Sequence, residues 1–432
     1  LLGLRKPTFA ARLASSESFH SAIAAFDDPQ YRAFWFSILG SFSAMQMNIV
    51  ARGYLAFVLT NSATALGVVS LARAIPMLAL APYAGVVADH TDKRRLLIAT
   101  QIGLMLIALT TAILIHLALI QFWQLIVLGF LEGTIFTFNM PTRQAILPHL
   151  VPSERLPNAV ALNASGRNMT RIVAPSLAGV LIGLPAFGIS GAFDAVAIAY
   201  ASAALLLLRL QLRAAEAHPA PAARPARAGG FRSIGDGFRY IVGNANLRIL
   251  LILGFVPVLL GTPYQTLLPV FQARVLDVDA TGLGLMYGAA GVGGLIGSFT
   301  VALLATHPKK AGLQLVFGLF FGLSLFAFAA VHVFSADLVF LAIVGIFGDG
   351  YSTLNSTMVM LNTDRAWYGR VMSIYMMNFA LMPLATLPLG ALSDVVNAPV
   401  AVGGAAALIV ALVVWVAFFF PPYRKVGDIA PT

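Results

Sequence analysis

The sequence predicts an all-α integral membrane protein, with twelve membrane-crossing helices in two six-helix halves. Of its 432 residues, 59% are hydrophobic and only 10% charged, whereas soluble domains put about a quarter of their residues into charged side chains. The apolar residues gather into long runs, each near the ~20 residues that a helix rising 1.5 Å per residue needs to cross a bilayer. These runs form two equal groups around a basic, Ala/Pro-rich segment near the middle of the chain.

Residues 1–32 carry Arg5, Lys6, Arg12, Asp27 and Asp28 among small and apolar residues. They lack the compact apolar core and cleavage site of a signal peptide, and read as a cytoplasmic tail. Residues 33–211 form the N-terminal half, with spans at about 33–60, 63–88, 95–119, 121–143, 157–184 and 187–211. Residues 212–245 are a basic cytoplasmic linker. Its later part, Phe231 to Val242, sets Ile234, Phe238 and Ile241 at helical spacing, which predicts an amphipathic helix at the membrane surface. The C-terminal half, 246–421, repeats the pattern at about 246–272, 280–305, 311–333, 336–361, 370–393 and 398–420, and residues 422–432 form a second cytoplasmic tail.

Basic residues fall on alternate loops: Lys93, Arg94 and Arg95; Arg143 and Arg155; the linker arginines; Lys309 and Lys310; Arg365 and Arg370; Arg424 and Lys425. The other side receives essentially Arg274 alone. Because cations stay on the cytoplasmic side, this asymmetry puts both termini inside. It also accounts for the net charge of +10 without a nucleic-acid partner. The absence of cysteine rules out disulfides and thiolate chemistry.

The shortest loop is the most informative. Gly85-x-x-x-Asp89-His90-x-Asp92-Lys93-Arg94 lies between the second and third spans and resembles the loop signature of the major facilitator superfamily. His90 stands where that pattern has arginine and Asp92 where it has a second glycine, the latter as in the superfamily's siderophore and macrolide exporter branch. Pro141-x-Arg143, Pro148, Pro152, Leu156-x-Asn158-Ala159, Arg171 and Ala174-Pro175-x-x-Ala178-Gly179 resemble the same branch. The resemblance implies the major facilitator fold and a cytoplasmic gate in which Gly85 lets the second and eleventh spans approach while Asp89, Lys93 and Arg94 latch the halves. One departure bears on coupling. Drug/proton antiporters of the superfamily often carry an arginine four residues before a glycine in the fourth span, but counting back from Gly133 gives Gly129. Either another residue serves the proton, or the transporter is not proton driven.

Charges inside a bilayer are costly and are functional by default. Arg52, Arg73, Glu132, Arg167, Arg171 and Asp349 all fall within spans. Glu132 and Asp349 occupy equivalent positions in the fourth span of each half, each followed by glycine and, about two turns on, by Asn139 or Asn355. A mid-membrane carboxylate is a sensible proton carrier, since desolvation favours its neutral form and alternating access loads and unloads it; a permanently buried ion pair is the other reading. Glu132 and Arg171 lie about 11 and 14 residues above the inner ends of consecutive spans. At 1.5 Å per residue they are at nearly equal depth, so they are expected to pair, with Asp349 as the counterpart in the second half. Met45, Asn48 and Arg52 share a face of the first span, which lines the central cavity in the resembled fold. With Arg73 and Asn355 they are candidate substrate contacts, and the two arginines suit an anionic or acceptor-rich solute. Arg52 snorkelling to the interface and Arg73 bonding backbone carbonyls are equally open.

Gly291-x-Gly293-Gly294-x-x-Gly297 lacks the spacing and the strand of a nucleotide loop and reads as a packing face. The seven histidines are scattered without metal-ligand spacing, and no serine elbow or Walker loop occurs. The expectation is therefore a non-enzymatic secondary exporter of a drug-like compound or siderophore in a bacterial inner membrane. It is expected to be proton coupled, monomeric, and without cofactor or metal. A nutrient importer is the alternative within transport; a receptor or embedded enzyme is disfavoured by the missing sensory domain and catalytic constellation.

Overall fold

The computed structural model describes residues 24–211, 230–304, 307, 309–364, 367–420 and 423. The side chains of Pro82, Asp89, Phe379, Ala380 and residues 230–234 lie outside that description, as do the linker arginines from 213 to 227, Arg365, Arg424 and Lys425. Among the described residues the chain is helical, with no strand.

In the N-terminal half, α1 spans Pro29–Thr60, α2 Ala63–His90, α3 Lys93–His116, α4 Phe122–Ile146, α5 Leu156–Gly183 and α6 Gly188–Leu208. Local chemistry sets the ends. Asp28 accepts the Gln30 amide at 2.8 Å to start α1, with Pro29 in its first turn, and α1 stops at Asn61 in a left-handed conformation (φ 46°). Asp92 accepts the Arg95 amide at 2.7 Å and so caps α3. The acid that replaces the second glycine of the loop pattern is thus a helix start.

The predicted surface helix is α7, Gly230–Gly243. Tyr240 stacks on Trp367 (centroids 4.7 Å apart, planes at 6°) and its hydroxyl donates to Asp364 at 2.8 Å, tying α7 to the C-terminal half. The next crossing is broken into α8 (Ala245–Gly261), α9 (Tyr264–Val270) and a wide helical turn at Phe271–Val275, with Pro257, Pro263 and Pro269 removing backbone donors along it. Then follow α10 (Ala280–Leu303), α11 (Lys310–Val331), α12 (Phe334–Leu361), α13 (Tyr368–Val396) and α14 (Ala398–Phe419).

Eleven described helical segments are long and apolar enough to cross a membrane. Helix α5 is as long, at 28 residues, but falls short in hydropathy because Asn158, Asn163, Arg167, Asn168 and Arg171 interrupt it. Large apolar side chains point outward from the bundle, among them Ile198 (68% exposed), Phe299 (68%) and Phe418 (71%). Such a surface needs lipid rather than water around it.

Within the first half α1 packs on α5 and α6, α2 on α4, and α3 on α4 and α6; within the second, α10 and α11 pack on α12, and α11 on α14. Two main seams join the halves, α2 with α13 and α5 with α10, and α9 adds smaller contacts to α1 and α2. The α5–α10 seam depends on small residues: a Cβ on Gly179 would lie 2.3 Å from the backbone of Gly284. The glycines of α10 are the packing face expected of them, with Gly293 and Gly297 against Ala342 and Ile346 of α12.

Candidate functional site

Glu132 on α4 is almost fully buried (2% exposed) and holds two arginines from neighbouring helices. Its carboxylate lies 2.7 Å from Arg52 of α1 and 3.3 Å from Arg73 of α2. The glycines around it make the room. A Cβ on Gly129 would meet the Arg52 guanidinium at 2.9 Å, and one on Gly133 would meet the Arg73 carbonyl at 2.1 Å. The guanidinium absent from position 129 is therefore supplied in space by Arg52. Arg73 also lies over the Phe136 ring, 5.3 Å from its centroid. Two cations share one buried anion, so removing the acid would strand both charges.

The expected pairing of Glu132 with Arg171 does not occur. Helix α4 packs on α2 and α3, whereas α5 packs on α1, α6 and α10. The turns at Leu147–His149 and Ser153–Arg155 carry the chain across the half instead of folding α5 back on α4. Arg171 instead reaches across the boundary between halves to Asp349 of α12, at 2.9 Å. This pair is open, with Arg171 51% and Asp349 29% exposed. The Asp349 carboxylate lies against α10 at Gly294, where a Cβ would come within 2.1 Å of it. Equivalent positions in the two halves thus hold different chemistry: a locked triad around Glu132 and an accessible inter-half pair at Asp349.

Arg143, expected in a loop, is buried. Its Nε donates to Asn139 Oδ1 at 2.8 Å and its Nη1 to Ser37 Oγ at 3.3 Å, while Asn139 donates to Thr100 at 3.0 Å. These partners on its own turn and on α1 draw the side chain into the bundle, against Phe34. Of the proposed substrate contacts, Arg52 and Asn48 are buried, Met45 is partly buried against the core, and Arg73 is committed to Glu132. Asn355 is buried, its amide donating to the Leu250 carbonyl at 2.9 Å. It fastens α12 to α8 and faces no open space. Arg167, half-buried on α5, rests on the Phe42 ring at 5.9 Å and has no carboxylate partner among the described residues.

At the basic loops the latch is not made through Gly85: nothing lies within 4 Å of a Cβ built there. Arg94 donates to the Leu207 carbonyl at 3.2 Å and to that of Leu208, tying α3 to the end of α6 inside one half. Lys93 begins α3, and the Asp89 side chain lies outside the described residues.

The opposite face carries a constellation that the sequence reading missed. Asp394 of α13 accepts hydrogen bonds from Ser62 Oγ (2.6 Å), the Ala63 amide (2.8 Å), the Thr64 amide (2.8 Å) and Thr64 Oγ1 (2.7 Å), all in the other half. It caps α2, whose own Ser62 makes no side-chain cap. Arg274 adds bonds to Asn61 Oδ1 (3.3 Å) and the Asn61 carbonyl and stands 3.4 Å from Asp394. The available signals were a helix start without its own cap, an arginine, Arg274, set apart from the basic loops, and an acid at the end of a span.

Comparison with known proteins agrees with this architecture. A family model described as transmembrane secretion effector matches residues 20–431. Among curated relatives, the staphyloferrin A transporter of Staphylococcus aureus (strain NCTC 8325 / PS 47) is 26% identical over 342 residues, 78% of this chain and 84% of the relative. Macrolide efflux protein A of Streptococcus pyogenes is 21% identical over 77% and 80% of the two chains. The enterobactin exporter EntS of Escherichia coli O1:K1 / APEC is 24% identical over 67% of each. Among solved structures, a bacterial homologue of the lysosomal transporter Spinster, inward-facing and unoccupied, superposes with a TM-score of 0.72 at 13% identity, covering 93% of this chain and 98% of that one.

Proposed function

The chain belongs to the transmembrane secretion effector family of major facilitator transporters, and from that premise we propose that it exports a small amphipathic solute across a bacterial inner membrane in exchange for protons. The observation that carries this reading is the Arg171–Asp349 pair, an accessible carboxylate deep in a span that joins the two halves. A charge at that depth needs a partner or a wet cavity, and a pair bridging two moving bodies is made and broken as they move. Arg171 and Asp349 are paired while the halves are together there. When the halves rock apart there, the carboxylate loses its counter-charge, takes a proton from the side then open, and releases it once the pair re-forms.

Export is the direction favoured by the relatives, which are named as efflux or siderophore transporters. Helix α5 serves as the twelfth crossing, and the basic loops and both termini face the cytoplasm. In that orientation, bonds at Asp394 and Arg274 close the outer face while Gly85 stands unpacked at the inner end. This supports an inward-open state, ready to take solute from the cytoplasm.

Proteoliposomes loaded at acid pH and diluted into neutral buffer test this with a macrolide and a siderophore as probes. The expected result is accumulation of at least one of them, abolished by a protonophore. Equal uptake with and without the pH gradient would overturn proton coupling, and no uptake of either would overturn export of these solute classes.

A further inference from the structure

We propose that the solute is an anion, engaged by the guanidinium of Arg167; this rests on the transporter reading above and names its substrate class. Contacts fix the faces of α5. Gly166 abuts Trp35 and Leu39 of α1, while Ile172 and Gly179 abut Gly291 and Gly284 of α10. Between those two contact faces lies one outward side, carrying Met169 and Val173, 57% and 53% exposed. Arg167 and Arg171, one turn apart, fall on the remaining side, toward the space between the halves where Asp349 meets Arg171. On α2, Ile75 and Leu78 are exposed on the outward face. Arg73 points the other way, into the half, against Glu132 and Phe136.

The charges there do not balance. Deep in the spans the described residues hold Arg52, Arg73, Arg167 and Arg171 against Glu132 and Asp349, four cations to two anions and an excess of two. Arg52 and Arg73 share one carboxylate, and Arg171 pairs with Asp349. Among the described residues Arg167 has a weak contact with the face of Phe42 and no carboxylate partner. A guanidinium is the residue type best suited to carboxylates and other planar oxyanions, which it grips with two parallel N–H donors. A solute carrying such a group supplies the missing charge on arrival and removes it on departure. A cationic solute meets net repulsion on the same path.

The probes are three naphthalene derivatives of one size: 2-naphthoate, 2-naphthamide and 2-naphthylmethylammonium. Binding to the purified transporter in nanodiscs is measured by calorimetry. The carboxylate is expected to bind at least about tenfold more tightly than the amide or the ammonium. Arg167→Gln is expected to remove that preference and Arg167→Lys to retain most of it. Arg167 is half-buried and bears no ion pair among the described residues, so both variants should fold, checked by an unchanged melting temperature. Equal or tighter binding of the ammonium, undetectable binding of the carboxylate, or carboxylate affinity unaltered by Arg167→Gln would each overturn the proposal. Carboxylate binding lost in Arg167→Gln, but without gradient-driven uptake in proteoliposomes, would uphold it and overturn the proton-coupled export reading instead.

Discussion

Asp394, the last acid of α13, caps α2 at Ala63 across the boundary between the two halves, at 2.8 Å from that amide. Helix caps are ordinarily local, made by the residue just before the helix. Here the cap is supplied from the other half, so α2 is fully satisfied only while this face is shut. A carboxylate at a helix N-terminus is worth roughly 1–2 kcal/mol through hydrogen bonds and the helix dipole. Asp394→Asn, which keeps the shape and loses the charge, should therefore shift the balance of conformers toward opening of this face by roughly tenfold. The cysteine-free chain allows spin labels at Leu59→Cys and Val395→Cys, both exposed and on opposite halves. A longer second distance should grow in Asp394→Asn and, more weakly, in Arg274→Gln; an unchanged distribution would leave Asp394 a helix cap with no part in gating.

Glu132 is expected to behave as a structural acid. Glu132→Gln leaves Arg52 and Arg73 facing a neutral amide in a site only 2% exposed, and breaking a buried charge pair costs about 3–5 kcal/mol. The variant should melt markedly lower and accumulate poorly in cells. A protein of unchanged melting temperature that has lost only its pH-driven transport would return Glu132 to the coupling site.

The spans were legible because hydrophobic length is a direct physical demand of the bilayer, and the amphipathic α7 because its spacing is local. Charged partners were not. The sequence places Glu132 and Arg171 at matching depths in consecutive helices, but depth says nothing about which face each helix shows, and α5 turns Arg171 toward the second half. Arg143 looked like a loop charge because its nearest neutralising groups, Asn139 and Ser37, are dipoles rather than acids. Arg52 beside Gly129 shows the same point in reverse: a side chain missing from one helix is replaced by another that lies 77 residues earlier in the chain, 129 minus 52. The long-range cap at Asp394 links residues more than 300 positions apart, and no local pattern encodes it.

Tyr240 should anchor α7 independently of pH throughout the physiological range. Partial burial, together with the hydrogen bond to Asp364, raises its phenol above the ordinary value of 10. A group whose folded value is raised contributes stability fully below the unfolded value and loses it as pH climbs through the folded one. The anchor is thus intact below about pH 10 and weakens only above it. Tyr240→Ala, which removes both the stack on Trp367 and the bond to Asp364, should expose the 230–243 segment to protease in detergent at pH 6 and pH 9 alike. Tyr240→Phe, keeping the stack, should be cut more slowly. Equal cleavage of wild type and Tyr240→Ala would show that other contacts hold the helix.

Asp349 and Arg171 carry the coupling prediction, and their exposure separates it from a stability effect. The pair is partly open, 29% and 51% exposed, so the arginine left by a neutral partner faces the space between the halves rather than a closed core. Asp349→Asn should therefore fold and bind solute normally, yet it presents to Arg171 a permanently neutral group that neither gains nor releases a proton. Gradient-driven accumulation should fall at least about tenfold, while exchange of labelled for unlabelled solute at equal pH on both sides, which needs the halves to move but no proton to cross, should persist. Arg171→Gln removes the counter-charge that expels the proton, so it should shift the optimum of driven transport without abolishing exchange. Full pH-driven accumulation in Asp349→Asn would eliminate this carboxylate as the proton carrier, and loss of exchange together with accumulation would reduce the pair to a contact the moving halves require.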